Sequence, residues 1–177
     1  VGLVFQYPDD QIFSPSVRED IAFGPLNMGL PVDEVNHRVE ATMNRLRITD
    51  FAERPPHHLS GGQKRTVAIA GVQAMHPKLV IYDEPSANLD IRSRRRLIND
   101  LLAPRDNESE TILVSSHDLE LILEVCQRVF LLDGGQIIAE GPARSVMANS
   151  LLMETHGLER PHSLMHHSEA HHESSAQ

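Results

Sequence analysis

Leu79-Val80-Ile81-Tyr82-Asp83-Glu84-Pro85 is an apolar run closed by two adjacent carboxylates and a proline. A short run without polar interruption reads as a strand covered on both faces, as in parallel sheets. Such a strand delivers Asp83 and Glu84 to its carboxyl edge, where layered α/β domains place their ligands. Asp83 suits a magnesium ion, held directly or through water. Glu84 suits the orientation or deprotonation of an attacking water, a role worth roughly 10²–10⁴-fold in rate. A lone Asp-Glu after a strand is also a common solvated turn; the buried strand before it favours the site.

Upstream, Leu59-Ser60-Gly61-Gly62-Gln63 sets two glycines behind a serine at the head of a helix expected to run to about Met75, where His76-Pro77 ends it. Free N–H groups at a helix start carry positive partial charge, and glycines let a phosphate approach the backbone. The Ser60 hydroxyl and Gln63 amide can add hydrogen bonds to phosphate oxygens. An ordinary capped turn has the same composition, so both readings stay open for this stretch alone. Three further residues stand in similar places. His117 follows the apolar strand expected over residues 111–115, where a neutral imidazole can donate to a phosphate and accept from a neighbour. Gln6 ends the opening apolar run, residues 1–5, and can ligate magnesium or position water. Asp90 either caps the next helix or contacts a second subunit.

The 177 residues fit one domain, and 40% hydrophobic composition supports a packed core. The formal charge is −9, and about −6 remains on the body once the four acids and one Arg of residues 154–177 are set aside. With so acidic a body and no Trp, nucleic-acid binding is not expected. The single Cys126 excludes an internal disulfide, suits a reducing compartment, and reads as a small buried hydrophobe. No apolar stretch is long enough to span a bilayer, and no signal peptide is visible. Val1 opens in mid-strand without a Met, which reads as a truncation.

Strands alternating with helices predict an α/β domain. Residues 16–22 read as a short helix with a Ser16–Glu19 capping box, interrupted by Gly24 and Pro25. An amphipathic helix is predicted over residues 31–47, a basic-faced helix over 90–102 and a helix over 118–127. A hairpin turning at Asp133-Gly134-Gly135 and a closing helix over 142–148 complete the body.

Taken in order, Gln6, the Leu59–Gln63 stretch, the Leu79–Pro85 stretch, Asp90 and His117 resemble the ATP-binding-cassette (ABC) ATPases over roughly residues 1–150. The resemblance implies a partial P-loop NTPase with a parallel-sheet core and a helical signature subdomain at about residues 14–75. It implies ATP and Mg²⁺ as cofactors. Gln6 matches the Q-loop glutamine, and Ser60, Gly61, Gly62 and Gln63 match the signature motif that binds ATP held by an opposing subunit. Asp83 matches the Walker B magnesium residue, Glu84 the catalytic base, Asp90 the D-loop aspartate at the dimer seam, and His117 the switch histidine.

Val4-Phe5-Gln6-Tyr7-Pro8-Asp9-Asp10-Gln11-Ile12-Phe13 and Ile21-Ala22-Phe23-Gly24-Pro25-Leu26-Asn27 look like the energy-coupling-factor importers. The final residues, 151–177, read as a His-rich flexible tail; within it His156-Gly157-Leu158, Pro161-His162-Ser163-Leu164, His166, His167, His171 and His172 resemble the cobalt and nickel importers. The partners implied are a second ATPase subunit, a transmembrane coupling protein and a substrate-binding membrane protein, with the chain on the cytoplasmic face of the membrane. A vitamin importer, a non-catalytic fragment that docks on partners, and a soluble ATPase of the superfamily are the competing readings. The sequence departs from the family in two ways: no G-x-x-x-x-G-K-[ST] loop occurs, and Tyr82 stands where an aliphatic residue is usual. Without that loop the chain alone is expected to bind ATP poorly and to fold only in part. The tail imidazoles are candidate nickel or cobalt ligands or an incidental polar extension.

Overall fold

The computed structural model describes residues 1–103, 110–159 and 161–164. The chain divides into two compact units, Val1–His117 and Asp118–Gln177.

The first unit is built on a parallel sheet of three strands in the order β1 (Gly2–Val4), β2 (Leu79–Asp83), β3 (Thr111–Ser115). Val4 pairs with Tyr82, and Tyr82 with Val114, so all three strands run toward the same edge. Val4, Val80 and Tyr82 are fully buried, and α3 (Gly61–Gln73) packs on β1. The opposite face is more open. Leu3, Ile81 and Leu113 lie side by side there, with Leu3 and Leu113 exposed. The burial expected of the strands over residues 1–5 and 111–115 therefore holds only in part: β1 alternates buried and exposed, and no residue of β3 is fully buried.

The strand edge left beside β1 is partly closed by a side chain. The Gln11 amide accepts from Phe5 N at 2.9 Å and donates to Leu3 O at 3.0 Å, the pair of bonds a neighbouring strand would make.

Three helices form the rest of this unit's main core. In α2 (Val32–Leu46), Val35, Val39, Met43 and Leu46 are buried on one stripe, as the 3.6-residue spacing predicts. By contrast α3 is buried nearly all round, with Val67, Ala68, Ile69, Ala70 and Val72 all inside. The helix α1 (Val17–Asn27) runs through Gly24 and Pro25 instead of stopping before them. Pro25 falls in its last turn, so the bond its missing N–H removes lies near the end of the ladder. Gly24 serves packing: a Cβ there would sit 2.6 Å from Met75 Cγ and Sδ. The Ser16 hydroxyl caps this helix, but Glu19 reaches the hydroxyl itself, not the backbone N–H of a full capping box.

The buried Tyr82 finds the partner its hydroxyl needs. Gln73 Nε2 donates to it at 3.1 Å, and Gln73 Oε1 accepts from Arg45 at 2.8 Å. Beyond β2, the helix α4 (Ile91–Leu102) buries Leu97, Ile98 and Leu101.

The second unit holds α5 (Leu119–Val125), an antiparallel hairpin of β4 (Arg128–Asp133) and β5 (Gln136–Pro142), α6 (Ala143–Met147) and α7 (Ser150–Thr155). Gly134 and Gly135 have φ of +54° and +77°, the conformation a two-residue hairpin turn requires. Cys126 caps α5 and is only half-buried; that partial burial raises its thiol pKa. Within the stretch read as a tail, Met153 of α7 and Leu164 are buried.

Candidate functional site

The carboxyl edge of the three-stranded sheet gathers the first group of candidate residues. Gln6 follows β1, Asp83 ends β2, and Ser116 and His117 follow β3. Asp83 pairs with Ser115, so the residues after each strand leave the sheet side by side. Glu84 then turns back across this edge. Its φ of +42° lies in the left-handed region that non-glycine residues seldom adopt, while its N–H still bonds Ser115 O at 2.8 Å.

That turn aims the carboxylate at the end of β3. Glu84 Oε1 accepts from His117 N at 3.0 Å and lies 2.8 Å from His117 Nδ1; Oε2 accepts from the Ser116 hydroxyl at 2.9 Å. Glu84 is 19% exposed and His117 81%. The carboxylate is thus sheltered and the imidazole faces solvent. An ionised carboxylate can only accept, so in this contact Nδ1 carries the proton. A neutral ring then presents Nε2 as an acceptor. To donate to a phosphate, His117 must be protonated or must leave Glu84, which refines the expectation of a neutral donor. Ser116, which the sequence did not single out, completes the clamp on Glu84.

A second group forms where α3 meets α4. Ser60 and Gln63 make a full capping box: Ser60 Oγ accepts from Gln63 N at 3.3 Å, and Gln63 Oε1 accepts from Ser60 N at 2.9 Å. The box uses the two side-chain oxygens as acceptors and occupies the Ser60 and Gln63 N–H groups; it does not consume the donors read for phosphate, the Ser60 O–H and the Gln63 Nε2 amide. The spacing S-x-x-Q is a capping-box signal, and here, unlike at Ser16 and Glu19, both halves of the box form. The two glycines differ. A Cβ on Gly61 would meet nothing within 4 Å, whereas on Gly62 it would lie 2.5 Å from Ser93 Oγ. Gly61 therefore leaves room for a ligand, and Gly62 lets α4 approach. Ser93 in turn is bound to Asp90, whose Oδ1 accepts from Ser93 N at 2.9 Å and Oδ2 from Ser93 Oγ at 3.0 Å. These bonds hold the Asp90 carboxylate pKa low. Asp90 is a helix cap in this chain, its bonds to Ser93 lying within the first turn of α4.

The donor set at the sheet edge fits a magnesium ion: a carboxylate of the exposed Asp83 and an amide oxygen of Gln6, both hard oxygens. The tail histidines offer less. His156 Nδ1 lies 2.7 Å from Asp133 Oδ2, a contact that lowers the Asp133 pKa. His162 stands in a single 3₁₀ turn, and His166, His167, His171 and His172 lie outside the described residues. Among the described residues no group of three or more His, Cys, Asp or Glu side chains is placed to hold a metal. Among them, too, no helix is long and apolar enough to cross a membrane.

Comparison with known proteins agrees with this geometry. The family model described as ABC transporter matches residues 1–87. The chain is 54% identical over 164 residues to an ABC transporter ATP-binding protein of Synechocystis sp., covering 93% of this chain and 56% of that one. It is 45% identical over 161 residues to the energy-coupling factor transporter ATP-binding protein EcfA of Methanothermobacter thermautotrophicus, covering 91% and 51%. The chain thus spans little more than half the length of these relatives. Among solved structures it resembles CbiO1 of Clostridium perfringens, described as part of the ABC transporter complex cbiONQ. That likeness has a TM-score of 0.77 and 39% identity, and covers 87% of this chain and 61% of that one. With its α/β architecture and its motifs in order along a parallel sheet, the chain belongs to the ABC transporter family, as an ATPase domain.

Proposed function

We propose that this chain is the ATP-binding and ATP-hydrolysing subunit of an importer of the energy-coupling-factor type, with cobalt or nickel as the transported metal. The observation that carries the reading is the Glu84 carboxylate, sheltered and held by Ser116 and His117 beside Asp83. Support for the importer class comes from the EcfA relative and from the CbiO1 likeness. The metal preference rests on the tail resemblance alone.

In this reading Gln6 and Asp83 hold magnesium, which when bound supplies positive charge to the phosphoryl oxygens. Glu84 takes the proton of the attacking water; Oε2, with one hydrogen bond described, keeps acceptor capacity for it. His117, the more exposed partner, faces the transferred phosphate. Ser60 to Gln63 open their capping box and offer backbone N–H groups to a nucleotide held by a second ATPase subunit, with Asp90 at the seam. The remaining partners are a transmembrane coupling protein and a substrate-binding membrane protein, with this chain peripheral on the cytoplasmic face.

A mixing experiment tests the shared site. In the full-length chain, Ser60→Arg and Glu84→Gln each inactivate both sites of a homodimer. A mixed dimer keeps one site with an intact Glu84 and an intact Ser60. Turnover that returns on mixing supports the proposal; two inactive variants that stay inactive when mixed, with mixed dimers shown to form, overturn it.

A further inference from the structure

One side chain touches the backbone on both sides of the two site groups. Arg65 stands one turn into α3 and is only 4% exposed. Its Nη1 donates to the Phe5 carbonyl at 3.1 Å and its Nη2 to the Ala87 carbonyl at 3.3 Å. Phe5 immediately precedes Gln6. Ala87 lies between Glu84 and Asp90. No carboxylate pairs with the guanidinium among the described residues, and its Nε has no acceptor there. Asp100 borders the same small cavity, but the charges acting on it are Arg96, Arg45 and Arg47.

A buried cation without a counter-ion is unfavourable, and desolvation lowers the Arg65 pKa. An apolar residue would fill the space without that cost. What arginine adds is a rigid planar fork whose donors reach two carbonyls on separate segments at once. Lys64, its neighbour, makes the contrasting contact: its Nζ pairs with Asp9 at the surface, where such pairs contribute little.

We propose that Arg65 is a positioning residue whose fork fixes the strand end before Gln6 and the loop over residues 86–90 to the signature helix, so that the two loops keep one relative placement and move together. The fork itself is independent of the functional reading above; only its consequence for turnover rests on that reading.

Hydrogen exchange on the nucleotide-free full-length chain tests the fork directly. The reporters are the Phe5 amide, bound to Gln11, and the Ala87 and Leu89 amides, bound to the Glu84 and Ser86 carbonyls. Arg65→Lys offers a single head and cannot hold both carbonyls as the fork does. It should raise exchange about tenfold at both loops together while the α2 amides keep the parent rate. Arg65→Met should do at least as much, and Lys64→Gln should do neither. In the same variants kcat should fall about tenfold with the ATP KM within about twofold. Parent-like exchange in both Arg65 variants overturns the proposal. So does a rise confined to one loop, or a rise that extends to α2 or to loss of the fold in both, since each leaves Arg65 with a merely structural role. If the parent chain shows no ATPase activity, the functional reading fails while the exchange experiment still decides the role of Arg65.

Discussion

The sheet edge around Glu84 and the helix start around Ser60 solve the same problem, holding polar groups ready for a ligand, in opposite ways. At the edge, Glu84 is held by residues 32 and 33 positions away, which meet it only when β2 and β3 are paired. At the helix start, Ser60 and Gln63 hold each other across three residues, as do Asp90 and Ser93. The edge is therefore a product of the assembled sheet. The helix start is closed by local bonds that occupy the Ser60 and Gln63 N–H groups and leave the Ser60 O–H and Gln63 Nε2 as donors. The sharpest break of this comparison is Glu84→Gln in the full-length chain. An amide keeps the volume but is a far weaker base, so turnover should fall roughly 10²–10⁴-fold while ATP binding and ATP-dependent association persist. Phosphate release measured beside nucleotide retention checks it. Normal turnover would remove Glu84 as the base.

Ser116→Ala probes the same edge more gently. It deletes the donor to Glu84 Oε2 and leaves the His117 contacts in place. Hydrogen bonds to charged groups contribute about 1.5–3 kcal/mol, so turnover should drop about tenfold or more. Phosphate release at saturating ATP checks it, and turnover equal to the parent's would show that the clamp does not matter to the base.

The same contrast explains what was legible in the sequence. Strand β2, the order of motifs and the stripe of α2 follow from local composition and periodicity, and the structure has them where they were expected. The open face of β1 and β3 was not legible, because a strand's burial depends on what covers it rather than on its own residues. Nor was the role of Gly24 in α1, which is packed against Met75, 51 positions later in the chain. Ser116 looked no different from Ser115; only the turn of Glu84 back toward β3 separates their roles. Arg65 had one faint cue. The run Val67 to Ala70 leaves α3 without a polar face, so a charged residue one turn earlier has little solvent to reach. Sequence order named the candidate residues; the bonds that hold Glu84 come from long-range packing, whereas those at Ser60 and Asp90 are local.

The two glycines of the helix start separate a packing role from a ligand role. Gly62→Ala forces a Cβ to within 2.5 Å of Ser93 Oγ, which is already bound to Asp90. Overpacking of this kind costs about 1–3 kcal/mol, read as a lower Tm of the nucleotide-free protein. Gly61→Ala meets open space and gains helix propensity, so it should be neutral or stabilising by up to about 1 kcal/mol. If the proposed function holds, Gly61→Ala should instead weaken ATP-dependent association. Equal losses of stability in the two variants would erase the distinction.

The smallest expected effect lies behind that helix start, at Asp100. Burial pushes its carboxyl pKa up to about 6 from an ordinary 3.8, with Arg96, Arg45 and Arg47 opposing the shift. Well below pH 3.8 the group is protonated both folded and unfolded and adds no penalty. Between 3.8 and about 6 the unfolded chain ionises it while the folded one largely does not, so stability is lost across that window and the loss is complete above it. Asp100 is partly solvated, and screening reduces the loss to about 1 kcal/mol. Asp100→Asn should therefore raise Tm by a few degrees at pH 7.5 and leave it unchanged near pH 3. Thermal melts at the two pH values check this. A variant equally displaced at both would mean that the amide acts through packing. A variant less stable at pH 7.5 would mean that the ionised carboxylate is held by the three arginines more strongly than burial opposes it.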